Sequence, residues 1–125
     1  KLVATQPEIS PLRIDCFENG ELDQVMRLGL TPLAWSPLGG GRLLSPESAR
    51  DRAVAAELDR VAGEQGVSRS VAAYSWLMAH PARVIPIVGS QNAERIAEAA
   101  QALTMRWTRT DWYAVLVAAR GERLP

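Results

Sequence analysis

The sequence predicts an α/β chain of parallel βα units, forming the C-terminal portion of a (β/α)8 (TIM) barrel rather than a closed domain. Three observations carry this expectation: short strand-like runs, helical patterns lying between and after them, and a length of 125 residues. Strands that alternate with helices pair in parallel. Three such strands cannot close a barrel, and an open sheet of three leaves bare edges. A (β/α)8 barrel occupies about 250 residues, so this chain suits its last three βα units and a closing helix. The sequence starts Lys1-Leu2-Val3-Ala4-Thr5, without Met and already inside a strand. Residues 1–125 are therefore expected to be a partial barrel domain whose N-terminal half lies upstream.

The first strand is Leu2 to Thr5, ended by Gln6-Pro7, since proline restricts the residue before it. From Glu21 to Leu28, Leu22, Val25 and Met26 recur at helical spacing between Asn19-Gly20 and Gly29. Thr31 to Trp35 is the second strand, and Ser36-Pro37-Leu38-Gly39-Gly40-Gly41-Arg42 is a loop. Between Asp51 and Glu64, Val54, Leu58, Val61 and Ala62 share one helical face, and Gly66 stops the helix. Ser68 is placed to cap the next helix, whose Val71, Ala72, Ala73, Tyr74, Trp76, Leu77 and Met78 are apolar nearly all round, so it is expected to be buried. Val84 to Val88 lacks alternation, as in a strand covered on both faces. Asn92 caps a helix to Leu103 with the stripe Ile96, Ala99, Ala100 and Leu103. Thr108 and Asp111 open a last helix with Trp112, Val115, Leu116 and Ala119 on one face.

Lys+Arg and Asp+Glu both number 14, so net charge gives no electrostatic reason to expect nucleic acid or an anionic membrane as partner. The basic residues are thirteen Arg and Lys1, and the Arg are scattered along the chain. Cys16 is the single cysteine, which excludes an intrachain disulfide and zinc sites built on paired thiolates, and is read as a small apolar filler in a reducing cytoplasm. No apolar run approaches the roughly 20 residues of a membrane-spanning helix. On general physics, the turn Gly89-Ser90, between a strand and a helix, is an anion site, because free N–H groups and the positive dipole end meet there.

Three segments, in order and spacing, resemble the aldo-keto reductases: Gln6-Pro7-Glu8-Ile9-Ser10-Pro11-Leu12, Ala34-Trp35-Ser36-Pro37-Leu38-Gly39-Gly40-Gly41, and Ile85-Pro86-Ile87-Val88-Gly89-Ser90 followed by Glu94-Arg95-Ile96. Gly66-Val67-Ser68 to Trp76-Leu77-Met78-Ala79-His80-Pro81 resembles the family's stretch before strand eight, and the likeness covers essentially the whole chain. It implies strands six, seven and eight of a barrel that moves a hydride between NADP(H) and a carbonyl or alcohol. Gln6 would then bond the nicotinamide carboxamide, since an amide offers donor and acceptor together. Trp35, where the family more often has tyrosine, would stack on the nicotinamide ring. Ser36, Pro37, Leu38, Gly39 and Gly41 would lie along the pyrophosphate, their glycines admitting backbone N–H groups to the anion. The resemblance assigns the turn Gly89, Ser90 and Gln91 to the adenosine 2′-phosphate, with Ser90 giving a hydroxyl and Arg95 a charge-assisted contact. Glu98 matches the acid that binds the adenine amino group. Gly89 stands where many relatives have a basic residue, and Ala99 where many have asparagine.

The family's catalytic aspartate, tyrosine, lysine and histidine lie on earlier strands, so no catalytic residue and no metal site is assigned within this chain. His80 precedes a strand and is expected at the barrel's bottom in a structural role. Tyr74 and Tyr113 fall on helices, and Lys1 is the only lysine. The implied parent is an NADP-dependent reductase of a small carbonyl substrate, and the isolated chain is expected to be inactive. Two other readings stand beside it. One is a non-catalytic half-barrel that self-associates or pairs with another chain through exposed strand edges, and the other is a regulatory module sensing NADP.

Overall fold

The computed structural model describes residues 3–121. Three parallel strands, β1 (Ala4–Thr5), β2 (Thr31–Ala34) and β3 (Ile85–Pro86), form one sheet in the order β1-β2-β3. Ala4 pairs with Thr31, and Leu33 with Ile85. Six α-helices accompany them: α1 (Asp15–Glu18), α2 (Glu21–Arg27), α3 (Ala49–Gln65), α4 (Arg69–Met78), α5 (Ala93–Ala99) and α6 (Arg109–Arg120), with a 3₁₀ turn at Ala100–Thr104. The parallel βα order expected from the sequence is present. Leu2, assigned to the first strand, lies outside the described residues.

The long helices form where their caps and apolar faces coincide. Ser48 and Asp51 make a reciprocal capping box on α3, Ser68 caps α4 and Thr108 caps α6, each through a side-chain oxygen that accepts a first-turn N–H. Gly66 and Gly121 end α3 and α6 in the left-handed conformation. Val54, Leu58 and Val61 of α3 are fully buried, as are Val71, Ala72, Ala73, Trp76 and Leu77 of α4. Around them, Trp76 stacks on Trp112 at 4.7 Å, and each indole N–H donates to the other's carbonyl at 2.9 Å. Phe17 meets Trp76 edge-on and stacks on His80. His80 thus serves packing, and its Nδ1 accepts the Ala82 N–H at 3.0 Å.

Four expectations need correction. Helix α1 was not anticipated, since four residues are too few to show a periodicity. Met26 is largely exposed while Leu22 and Val25 are buried, so α2 has a narrower apolar stripe. The strand expected over Val84–Val88 pairs only at Ile85–Pro86 and is covered on one face, with Val84 buried and Ile85 and Ile87 exposed. The Ile87 N–H still donates to Ala34 at 2.9 Å, whereas Pro86 has no N–H to offer on the strand's open side. Of the stripe Ile96, Ala99, Ala100, Leu103, only Ala99 packs against the core, beside Val71, Tyr74 and Ala102, while Ile96, Ala100 and Leu103 are exposed. The helix tightens to 3₁₀ from Ala100, which changes the residues per turn and turns Ala102 inward in place of Leu103.

Candidate functional site

Because the strands are parallel, the residues that follow them gather at one end of the sheet. Gln6 follows β1 and is exposed, and Trp35 follows β2 and remains 49% exposed despite its size. Trp35 is therefore not a core tryptophan. Its backbone is fixed by the strand continuation, with its N–H donating to Pro7 at 3.1 Å.

After Trp35 the chain turns sharply. Ser36 adopts φ 51, and its Oγ accepts the Gly40 N–H at 3.0 Å. Gly39, Gly40 and Gly41 all take positive φ, a conformation that costs other residues about 1–2 kcal/mol. The result is a strap across one wall of a cleft of about 490 Å³. Ser36, Pro37, Leu38 and Gly41 line that wall, while Gly89, Ser90, Arg95 and Glu98 line the other. Two segments separated by half the chain are thus brought together. Gln6, Trp35, Gly39 and Gln91 lie outside this lining.

At the start of α5, Asn92 Oδ1 accepts the N–H groups of Glu94 and Arg95, and Ser90 Oγ accepts that of Asn92. The amides of Asn92, Glu94 and Arg95 are therefore taken by side chains of the same turn. Beside them, the hydroxyl hydrogen of Ser90 and the guanidinium of Arg95 face the cleft, and Arg95 is exposed and makes no ion pair among the described residues. A Cβ on Gly89 would meet nothing within 4 Å, so the backbone there lies open.

Sequence reasoning missed the cleft's floor, where Ser68, Ser70, Val71 and Tyr74 of the α4 region lie. Burial pushes the Tyr74 hydroxyl above the ordinary phenol range, the Glu98 charge adds to this, and Arg95 partly offsets it. The available signal was the polar pair Ser70 and Tyr74, four residues apart on a mostly apolar helix, which puts both on the face turned to the cleft. Cys16 is buried, and burial together with the nearby Glu21 charge pushes its thiol up to about 12, so it is a packing residue and not a nucleophile. Among the described residues, no helix is long and apolar enough to cross a membrane.

Comparisons with known proteins bear on this arrangement. The model of the Aldo/keto reductase family matches residues 1–116. A 6-dehydroglucose reductase of Novosphingobium aromaticivorans is 78% identical over 125 residues, all of this chain and 41% of that protein. A 6-dehydroglucose reductase of Agrobacterium fabrum is 41% identical, covering 99% of this chain and 41% of its own length. A thermostable aldo-keto reductase solved with the inhibitor epalrestat superposes with a TM-score of 0.80 over 94% of this chain and 40% of its own, at 20% identity, a likeness of fold. The chain spans about two fifths of the length of these curated relatives. With the family model matching all but the last nine residues, this chain belongs to the aldo/keto reductase family.

Proposed function

We propose that the chain is the C-terminal part of a (β/α)8 barrel, supplying strands six to eight and half of the NADP(H) site of a carbonyl reductase. The exposed sheet side chains Ile85 and Ile87 support this, because a completed barrel would cover them. The carrying observation is the cleft itself: a glycine strap on one wall faces Ser90 and an unpaired Arg95 on the other. The residues fit a dinucleotide phosphate. A hydroxyl donor and a guanidinium suit the 2′-phosphate, and open glycine backbone suits the pyrophosphate.

NADPH would supply the hydride for the carbonyl carbon. Within this chain, Arg95 and Ser90 bind the 2′-phosphate, Glu98 accepts from the adenine amino group, the strap and Gln91 border the phosphates, Gln6 orients the carboxamide, and Trp35 covers one face of the ring. The proton for the carbonyl oxygen comes from upstream residues, since the only lysine is Lys1 and neither tyrosine has a lysine beside it in sequence. By the high identity to the Novosphingobium protein, the substrate is a sugar aldehyde such as 6-dehydroglucose. A reducing cytoplasm accompanies this reading, as suits one buried thiol.

The test is titration of the protein at its full natural length with NADPH and NADH, followed by tryptophan fluorescence. Arg95→Ala should weaken NADPH about 10- to 100-fold, the worth of one charge-assisted contact, and leave NADH nearly unchanged. Equal NADPH affinity in the variant would remove Arg95 from the site.

A further inference from the structure

The strap that walls the cleft carries three consecutive glycines at positive φ, and glycine backbones have the most conformational freedom to lose on ordering. Something must fix its shape before a ligand arrives. At its downstream end stands Arg42, whose Nε and Nη2 donate to Asp51 at 3.0 and 2.8 Å. Asp51 is fully buried. Its Oδ2 also accepts the N–H groups of Glu47 and Ser48, at 3.1 and 3.2 Å. Burial alone raises such a carboxyl, but these hydrogen bonds and the Arg42 fork outweigh it and hold Asp51 below the usual carboxylate range. One residue further, Leu43 is fully buried and its carbonyl accepts from Arg69 Nη1 at 2.8 Å. Across Gly39–Gly41 the strap is held by one side-chain bond, from the Gly40 N–H to Ser36 Oγ, and by backbone bonds of the turn, and it is pinned by charged side chains immediately after them.

We propose that Arg42 and Asp51 form a positioning clasp that holds the Ser36–Leu44 strap in its phosphate-accepting shape. This rests on the NADP(H) reading of the cleft and adds two residues that do not line it. The clasp acts by preorganisation: the strap's ordering cost is met on folding, so binding does not bear it. A charged fork suits the role better than a neutral contact, because a planar guanidinium on a buried carboxylate fixes direction as well as distance.

The experiment uses the protein at its full natural length, with NADPH titrated by tryptophan fluorescence and the ligand-free strap probed by limited proteolysis. Arg42→Gln leaves the Asp51 cap in place, and should raise the NADPH Kd about tenfold while speeding cleavage between residues 36 and 45, with kcat at saturating NADPH within about twofold of wild type. Asp51→Asn should have the same effect, the double variant should be no worse than the poorer single, and Arg42→Lys should recover part of the loss. If Arg42→Gln binds and is cleaved like wild type, the clasp is overturned while Arg95 keeps its role. Weakened binding in Arg42→Gln with none in Asp51→Asn would make Arg42 a direct phosphate ligand and overturn positioning. Wild-type protein that binds no NADPH defeats the parent reading, and this proposal with it.

Discussion

Around Trp76 the chain is packed from every side, whereas around Arg95, fewer than twenty residues later, it is open. In the first region two indoles stack at 4.7 Å and satisfy each other's backbone carbonyls, with Phe17 and His80 closing the cluster. In the second, α5 has no buried residue, and its cap is made by the short polar side chains of its own turn. The contrast separates two tasks. The aromatic cluster joins α1, α4 and α6 into a platform, and the open end leaves the Arg95 guanidinium exposed and without an ion pair among the described residues.

The largest effect expected from this contrast is on stability. Trp76→Ala should cost about 3–5 kcal/mol, measured by urea denaturation, because it removes a fully buried ring together with its indole bond to the Trp112 carbonyl. A loss under about 1 kcal/mol would erase the distinction between the two regions. Gly39→Ala comes next, at about 1–2 kcal/mol, since its φ is +66 and an added Cβ would stand 2.9 Å from Leu12 Cδ1, in the core. That variant sharpens the comparison: it sits where strap and core touch, so both NADPH affinity and melting temperature should fall. Trp76→Ala, by contrast, should leave the affinity of the folded protein within about twofold, as it lines no part of the cleft.

The smallest effect concerns acid. Burial lowers the His80 pKa, only partly offset by the Asp23 charge, and Nδ1 is held as an acceptor by the Ala82 N–H. The folded state therefore favours neutral His80, and the unfolded chain takes up the proton first. Its contribution is present above the unfolded pKa of about 6.5 and is lost as pH falls through the lower folded value. His80→Asn keeps an acceptor for Ala82, so melting temperatures between pH 7 and pH 5 should decline less steeply than in wild type. An identical decline would show that His80 is not the titrating group.

Local sequence was a good guide where local physics decides. Ser68, Asn92 and Thr108 were legible as caps because the side chain that caps lies within three residues of the N–H it accepts. Gly66 was legible as a stop for the same reason. The cleft's strap and its Gly89–Glu98 wall were legible through family resemblance, segment by segment. Tyr74 was not, because its pairing with Ser70 four residues earlier is a faint signal on a helix that is apolar on most sides. Asp51 was read only as the beginning of a helix, since nothing at a separation of nine residues announces a pair with Arg42.

By itself, then, the sequence determined the order of the strands and of every helix except the four-residue α1, the parallel pairing and the family they belong to, because these follow from short-range periodicity, caps and motifs. Tertiary structure alone decided that Ser90 and Arg95 face the glycine strap and that Asp51 is buried beneath Arg42. Those outcomes depend on residues from different elements arriving at the same place, which no local pattern specifies.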